Sequence, residues 1–287
     1  MRCRAIPCRI SISAPTTASG NITISCGLFT FPDSVTIHLG EGVGGRTGNQ
    51  RRMTSSTTST GLSYNLFQNS SGTTVFGGSY GTFGGSPMVL DGLFFSAAVI
   101  GFPISVPFYA RVPASQTGVV PGSYRSDFTR DPIDVRVEYR TCTLLCTNRT
   151  ATFTFAVRAT VQPNCLVQAD TLNFGTHGRL NDPVDATSQF RATCTAGTPF
   201  NMGLSYGLSG TNPNTRAMRN SAGGRVAYNL FRDAARTLPW GLATDGMGLI
   251  SSGTELSQTE RVYGRVPAQA TPNPGVYADT VNVVLTY

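Results

Sequence analysis

Polar and apolar residues alternate with period two along several short stretches of this chain. Asn21-Ile-Thr-Ile-Ser-Cys26, Ser34–Leu39, Leu62–Phe67, Gln189-Phe-Arg-Ala-Thr-Cys194 and Arg225–Phe231 show it, as do the runs Ile133, Val135, Val137, Tyr139 and Val281, Val283, Leu285, Tyr287. Alternation of this kind puts one set of side chains on a buried face and the other in water, so each stretch is predicted to be a half-buried β-strand. Turn clusters separate them, among them Gly40–Gly48, Gly207–Asn214 and Pro272–Gly275. No ten-residue stretch carries an apolar stripe at helical spacing with caps at its ends. The 287 residues include 32 Gly and 17 Pro, and 13% are charged, which excludes helical bundles and coiled coils. At 40% hydrophobic the chain has material for real cores, and it has no run of 18 apolar residues to span a bilayer as a helix.

The strands fall into two copies of one plan. Arg51-Arg52-Met53, Tyr64-Asn65-Leu66-Phe67 and Phe76-Gly77 return as Arg216-Ala217-Met218, Tyr228-Asn229-Leu230-Phe231 and Trp240-Gly241, at an offset of 164 or 165 residues. Further on, Tyr109-Ala-Arg-Val-Pro113 returns as Tyr263-Gly-Arg-Val-Pro267, and Gly122-Ser-Tyr124 as Gly275-Val-Tyr277. Motifs repeated in one order identify a tandem duplication. The predicted fold is all-β, two tandem immunoglobulin-like β-sandwich domains at 1–149 and 150–287.

Charge narrows the function classes. The net charge is +7, every one of the 22 basic residues is Arg, and 12 Arg face 7 acids in residues 1–149 against 10 and 8 in 150–287. A nucleic-acid binder concentrates such charge on one stripe, whereas here only Arg51-Arg52 is dense, so no nucleic-acid partner is expected. Without lysine there is no Schiff-base or P-loop chemistry. His38 and His177 stand at non-equivalent places, and no G-x-S-x-G elbow accompanies them. Gly40-Glu-Gly42-Val-Gly-Gly45 matches G-x-G-x-x-G after a strand, but no helix pattern follows, so it reads as a hairpin loop. Asp127, Asp131 and Asp134 read as turn residues, too sparse for a calcium loop. The expectation is a non-enzyme with no cofactor and no metal.

Cysteine use points to an oxidising compartment. Cys165 and Cys194 lie 29 apart with alternation between them and no His placed for a zinc quartet, so structural disulfides fit better. Cys142-x-x-x-Cys146 has one residue too many for a redox C-x-x-C and reads as a small disulfide-closed turn. The count of seven leaves one thiol among Cys3, Cys8 and Cys26 without a partner. Residues 1–10, MRCRAIPCRI, contain no apolar signal region, so the start is read as defective for an exported protein.

The run Cys165…Asn173-Phe-Gly175…Cys194-Thr195, Tyr228–Phe231, Trp240-Gly241, Val262–Pro267, Gly275-Val-Tyr-Ala-Asp-Thr280 and Thr286-Tyr287 resembles the spore coat protein U domain, also the building block of archaic (Csu-type) chaperone–usher pili. The resemblance covers 150–287 most fully and 20–140 in the same order, the first copy having no counterpart of Asn173-Phe-Gly175. Two such domains are similar to a pilus tip subunit. The resemblance implies sandwiches that lack a final strand, whose groove is filled by a strand from a periplasmic pilus chaperone and then from the adjacent pilin subunit, with assembly at an outer-membrane usher. It implies export through the periplasm to the pilus tip. Two features agree: the chain stops at Tyr287 after its last alternating strand, and Phe153, Phe155, Val157, Ala159 and Val161 alternate with polar or small residues where single-domain relatives carry their donor segment. Residues 152–161 are therefore expected either to complement the first domain within the same chain or to form the first strand of the second.

The first copy is ten residues longer between Phe76 and Tyr109 than the second is between Trp240 and Tyr263. The extra region is Gly-rich and apolar, where the second copy is polar across 251–260. A second apolar cluster, Leu28, Phe29 and Phe31, follows Cys26, and with Phe83, Met88, Leu90, Phe94 and Phe95 it is read as tip loops; the resemblance implies that these adhere to hydrophobic surfaces in biofilm formation, burial of each large side chain contributing roughly 1.5–3 kcal/mol. The alternative for Phe94, Phe95 and 99–102 is a lengthened core strand. Alternative functions are a secreted spore-coat or matrix structural protein and, more remotely, a carbohydrate-binding sandwich.

Overall fold

The computed structural model describes residues 9–13, 19–25, 32–91, 103–114, 116–142 and 145–287. Two compact units divide the chain, Met1–Val161 and Gln162–Tyr287. The first holds β1 (Arg9–Ser13), β2 (Ser19–Ser25), β3 (Pro32–Leu39), β4 (Arg46–Thr47), β5 (Gln50–Ser55), β6 (Gly61–Phe67), β7 (Met88–Asp91), β8 (Ile104–Arg111), β9 (Gly122–Phe128), β10 (Val135–Cys142), β11 (Cys146–Ala151) and β12 (Phe155–Val161). The second holds β13 (Cys165–Ala169), β14 (Val184–Cys194), β15 (Pro199–Leu204), β16 (Ala217–Arg219), β17 (Arg225–Ala227), β18 (Asn229–Phe231), β19 (Leu249–Ser252), β20 (Gln258–Val266) and β21 (Val283–Thr286), plus one 3-10 turn at Ala243–Asp245. The fold is all-β, as alternation and glycine-rich turns predicted, and the pairings between these strands are antiparallel.

In the first unit one sheet runs β1-β2-β8-β6-β5-β9-β12, with β4 on β5, and the other runs β11-β10-β3-β7. Period-two sequence becomes period-two burial: Leu62, Tyr64 and Leu66 of β6 are buried, as are Ile22 and Ile24 of β2, and they meet Val35, Ile37 and Leu39 of β3 in one core. The second unit repeats the plan with sheets β13-β14-β20-β18 and β19-β15-β21 and a β16-β17 pair. Phe190 and Ala192 of β14 face Phe200, Met202 and Leu204 of β15 around Trp240. A disulfide joins Cys165 to Cys194, which stand opposite each other where β13 meets β14. Cys142 and Cys146 face one another across the β10–β11 hairpin, and Cys146 is disulfide-bonded. Cys3, Cys8 and Cys26 lie outside the described residues.

Each core encloses an arginine. Arg51 donates to the carbonyls of Gly40 (2.7 Å), Leu39 (3.2 Å) and Phe76 (2.6 Å). Its duplicate Arg216 donates to Ser205 (2.7 Å), Leu204 (3.1 Å) and Trp240 (2.9 Å), the repeat-equivalent carbonyls. Both are fully buried, and burial brings each guanidinium pKa down to about 10. The fork ties strand ends together through their backbone carbonyls.

Three residues expected on tip loops belong instead to this core. The Phe83 ring is buried 3.9 Å beneath the Arg51 guanidinium, a cation–π contact. Met88 and Leu90 lie on β7, opposite Ile37 and Val35 of β3; Met88 is buried and Leu90 packs on the core. Surrounding glycines suggested a loop, but pairing with β3 turns Met88 and Leu90 inward, while Phe83 is buried from a loop that folds over Arg51. Leu28, Phe29, Phe31, Phe94 and Phe95 lie outside the described residues.

Candidate functional site: an uncovered groove in the second unit

The two units differ most at one edge. In the first, residues 122–161 form a long hairpin whose outgoing arm is β9 then β10 and whose returning arm is β11 then β12. The returning arm follows its partner from one sheet to the other: β11 pairs with β10 from Cys142↔Cys146 to Val137↔Ala151, and β12 pairs with β9 from Phe155↔Phe128 to Val161↔Gly122. Between them Phe153 is buried, and Phe155, Val157, Ala159 and Val161 pack against the first core. Phe155 stacks on Phe128 (centroids 4.3 Å, planes at 10°) and meets Phe108 edge-on at 6.2 Å. Residues 152–161 thus lie within the first unit, which ends at Val161 instead of 149 because these ladders hold the segment there.

Among the described residues, the second unit shows the outgoing arm alone. Residues 275–281 repeat β9, and β21 repeats β10. Among the described residues, β21 pairs only with β15, and 275–281 make a single bridge, Arg219↔Ala278. A groove of about 460 Å³ lies between residues 169–174 and 277–283, floored by Phe190, Leu204, Leu230 and Val262. At Leu172, Phe174, Met218 and Tyr277 it continues into a second hollow of about 600 Å³. Val276, which lines the second hollow, is 88% exposed. An apolar trench beside a strand with unused backbone N–H and C=O groups is suited to receive another strand.

Polar bonds hold the outgoing arm in place without a partner strand. The Tyr228 hydroxyl donates to Asp279 Oδ2 (2.8 Å), and Asp279 Oδ1 accepts from the N–H groups of Leu208 (2.9 Å) and Thr280 (2.8 Å). Burial first, and then the adjacent Asp279 carboxylate, push the Tyr228 pKa above its ordinary value, so it stays a donor. In the first unit Ser126 occupies the repeat position of Asp279, and burial raises its Tyr64 neighbour to about 12. Tyr277 donates to the carbonyl of Asn273 (2.7 Å) as Tyr124 does to that of Val120 (2.7 Å), so both arms enter the groove edge in the same way.

The remaining expected chemistry is dispersed. His38 is buried in the first unit, its Nδ1 accepting from the Ser79 N–H (3.1 Å), while His177 lies in an exposed turn beside the Phe174 carbonyl (2.6 Å). Asp127, Asp131 and Asp134 each pair with a separate arginine, Arg125, Arg136 and Arg130. The G-x-G-x-x-G stretch is a loop after β3 with positive φ at Gly42 and Gly45. Sequence reasoning passed over Arg51, Arg216 and the Tyr228–Asp279 pair. The signal for Arg51, Arg216 and Tyr228 was their place in the repeat, where an arginine and a tyrosine recur on apolar strands; Asp279, whose repeat position holds Ser126, carried no such signal.

The comparisons with known proteins agree with this duplicated geometry. The Spore Coat Protein U domain family matches the chain over residues 9–130 and again over 151–284. Protein U of Myxococcus xanthus is 33% identical over 129 residues, covering 41% of this chain and 72% of that protein. Among solved structures, the CsuC–CsuE chaperone–tip adhesion subunit pre-assembly complex of the archaic chaperone–usher Csu pili of Acinetobacter baumannii aligns with a TM-score of 0.56 at 21% identity, over 96% of each chain. That likeness is one of fold. The chain belongs to the Spore Coat Protein U domain family and carries the domain twice.

Proposed function

We propose that this protein is an exported structural and adhesive subunit of a surface pilus of the chaperone–usher type, assembled by donor-strand complementation. One observation carries the reading: the same edge is covered by the chain's own β11–β12 arm in the first unit and uncovered in the second. The first unit is complete within the chain, so it suits a terminal position at the tip. The second is open to a strand from another polypeptide, supplied first by a periplasmic chaperone and then by the adjacent subunit at the outer-membrane usher. The whole-chain likeness to a tip subunit solved with its chaperone supports this assignment, and the Cys165–Cys194 disulfide suits an oxidising route of export. Leu28, Phe29, Phe31, Phe94 and Phe95 remain as the residues for contact with hydrophobic surfaces in biofilms. The test is export of the full chain with and without a chaperone encoded beside it. A stoichiometric complex, and loss of soluble protein without the chaperone, are expected. A stable monomer obtained alone would favour the second reading, a secreted coat component, which the family description supports.

A further inference from the structure

The filled groove of the first unit is an internal template for the open groove of the second. Resting on the reading just given, we propose that the strand completing the second unit runs antiparallel to residues 275–281 in the register of β12 on β9, and carries an aromatic side chain opposite Val281. The partner is thus a segment patterned aromatic, aliphatic, small, aliphatic at every second residue.

The register follows from the repeat. In the first unit Phe155, Val157, Ala159 and Val161 stand opposite Phe128, Ser126, Tyr124 and Gly122. Those four correspond to Val281, Asp279, Tyr277 and Gly275. Tyr124 and Tyr277 are tied to the carbonyl four residues earlier at the same 2.7 Å, so the ring that faces Ala159 recurs unchanged and the residue opposite Tyr277 must be small. Asp279 leaves no unpaired charge for an aliphatic neighbour, because Tyr228, Leu208 and Thr280 already donate to its carboxylate.

Side-chain size follows from two exchanges. Phe155 rests against Phe128 and Phe108. At the repeat positions the second unit has Val281 and Val262, both lining the open groove. Replacing two rings by two isopropyl groups widens this end, and only a large ring on the incoming strand fills it without leaving a void. A one-residue slip would turn every apolar side chain outward, so the pattern fixes the register.

The experiment displaces the chaperone from its purified complex with the full-length protein by fluorescent peptides bearing residues 152–161 of this chain, TFTFAVRATV. Binding of that peptide is expected. Phe155→Trp in the peptide should bind as well or better, Phe155→Leu about tenfold more weakly, and Ala159→Phe not measurably. Widening should be reversible: V281F in the protein should erase the preference for an aromatic peptide. For register, a peptide carrying Arg158→Cys should cross-link to A278C and not to V276C or T280C. Binding with leucine equal to phenylalanine, or cross-linking at 276 or 280, would overturn this inference and leave the open-groove reading intact. Absence of binding by every peptide would overturn both.

Discussion

A buried guanidinium bonded to carbonyls and covered by an aromatic ring shows how single residues hold these sandwiches. Arg51 makes its bonds to backbone oxygens at the end of β3 and of the Phe76 turn, and removing it would take three donated hydrogen bonds away from carbonyls beside an apolar core. Arg51→Met should therefore destabilise the first unit by about 3–5 kcal/mol, read as a lowered midpoint in guanidinium chloride. Arg51→Lys should recover little, since an ammonium cannot reproduce the planar fork. His38 gives the pH dependence. It is packed against Glu138 and Arg136 of β10 and against Tyr80, whose hydroxyl donates to Glu138; Arg136 in turn pairs with Asp131. Burial lowers its folded-state pKa despite the pull of Glu138, so below about 6.5 the unfolded chain takes up the proton more readily. The contribution of His38 is complete above that pH and declines as pH falls. Thermal unfolding of the first unit should occur at lower temperature at pH 5 than at pH 7.5, and His38→Gln should flatten the difference.

At the scale of elements, β12 decides whether a unit is closed. Its period-two pattern was legible, since Phe153 to Val161 alternate, but alternation left two destinations open. Only the ladder with β9 selects the first unit. Phe155→Ala should cost about 3–5 kcal/mol by opening a void against Phe128 and Phe108, measurable in the same denaturant titration. Deleting 152–161 should make the first unit protease-sensitive at low protease concentration; unchanged resistance would show that β12 does not complete it. β7 teaches the converse lesson. Met88 and Leu90 follow a glycine-rich stretch that reads as loop, yet edge pairing with β3 makes a strand of them. Edge pairing depends on a partner some fifty residues away, which local pattern does not name.

Over the whole molecule, duplication supplies two copies of one sandwich with different edges. The second unit relies on the Cys165–Cys194 bond to hold β13 across β14, closing a loop of 29 residues. Reduction should lower its stability by about 3.5 kcal/mol on a chain-entropy estimate, seen as selective proteolysis within 162–287. The sequence by itself determined the all-β class, the duplication and most strand faces, because period-two alternation and repeated motifs are local properties carried by each segment. Tertiary structure alone decided that Arg51 and Arg216 clamp the cores, that Phe83 and Met88 are interior, and that one edge is covered while its duplicate is bare. Those facts depend on which distant strands meet, and backbone hydrogen bonds between them are made by atoms that every residue shares.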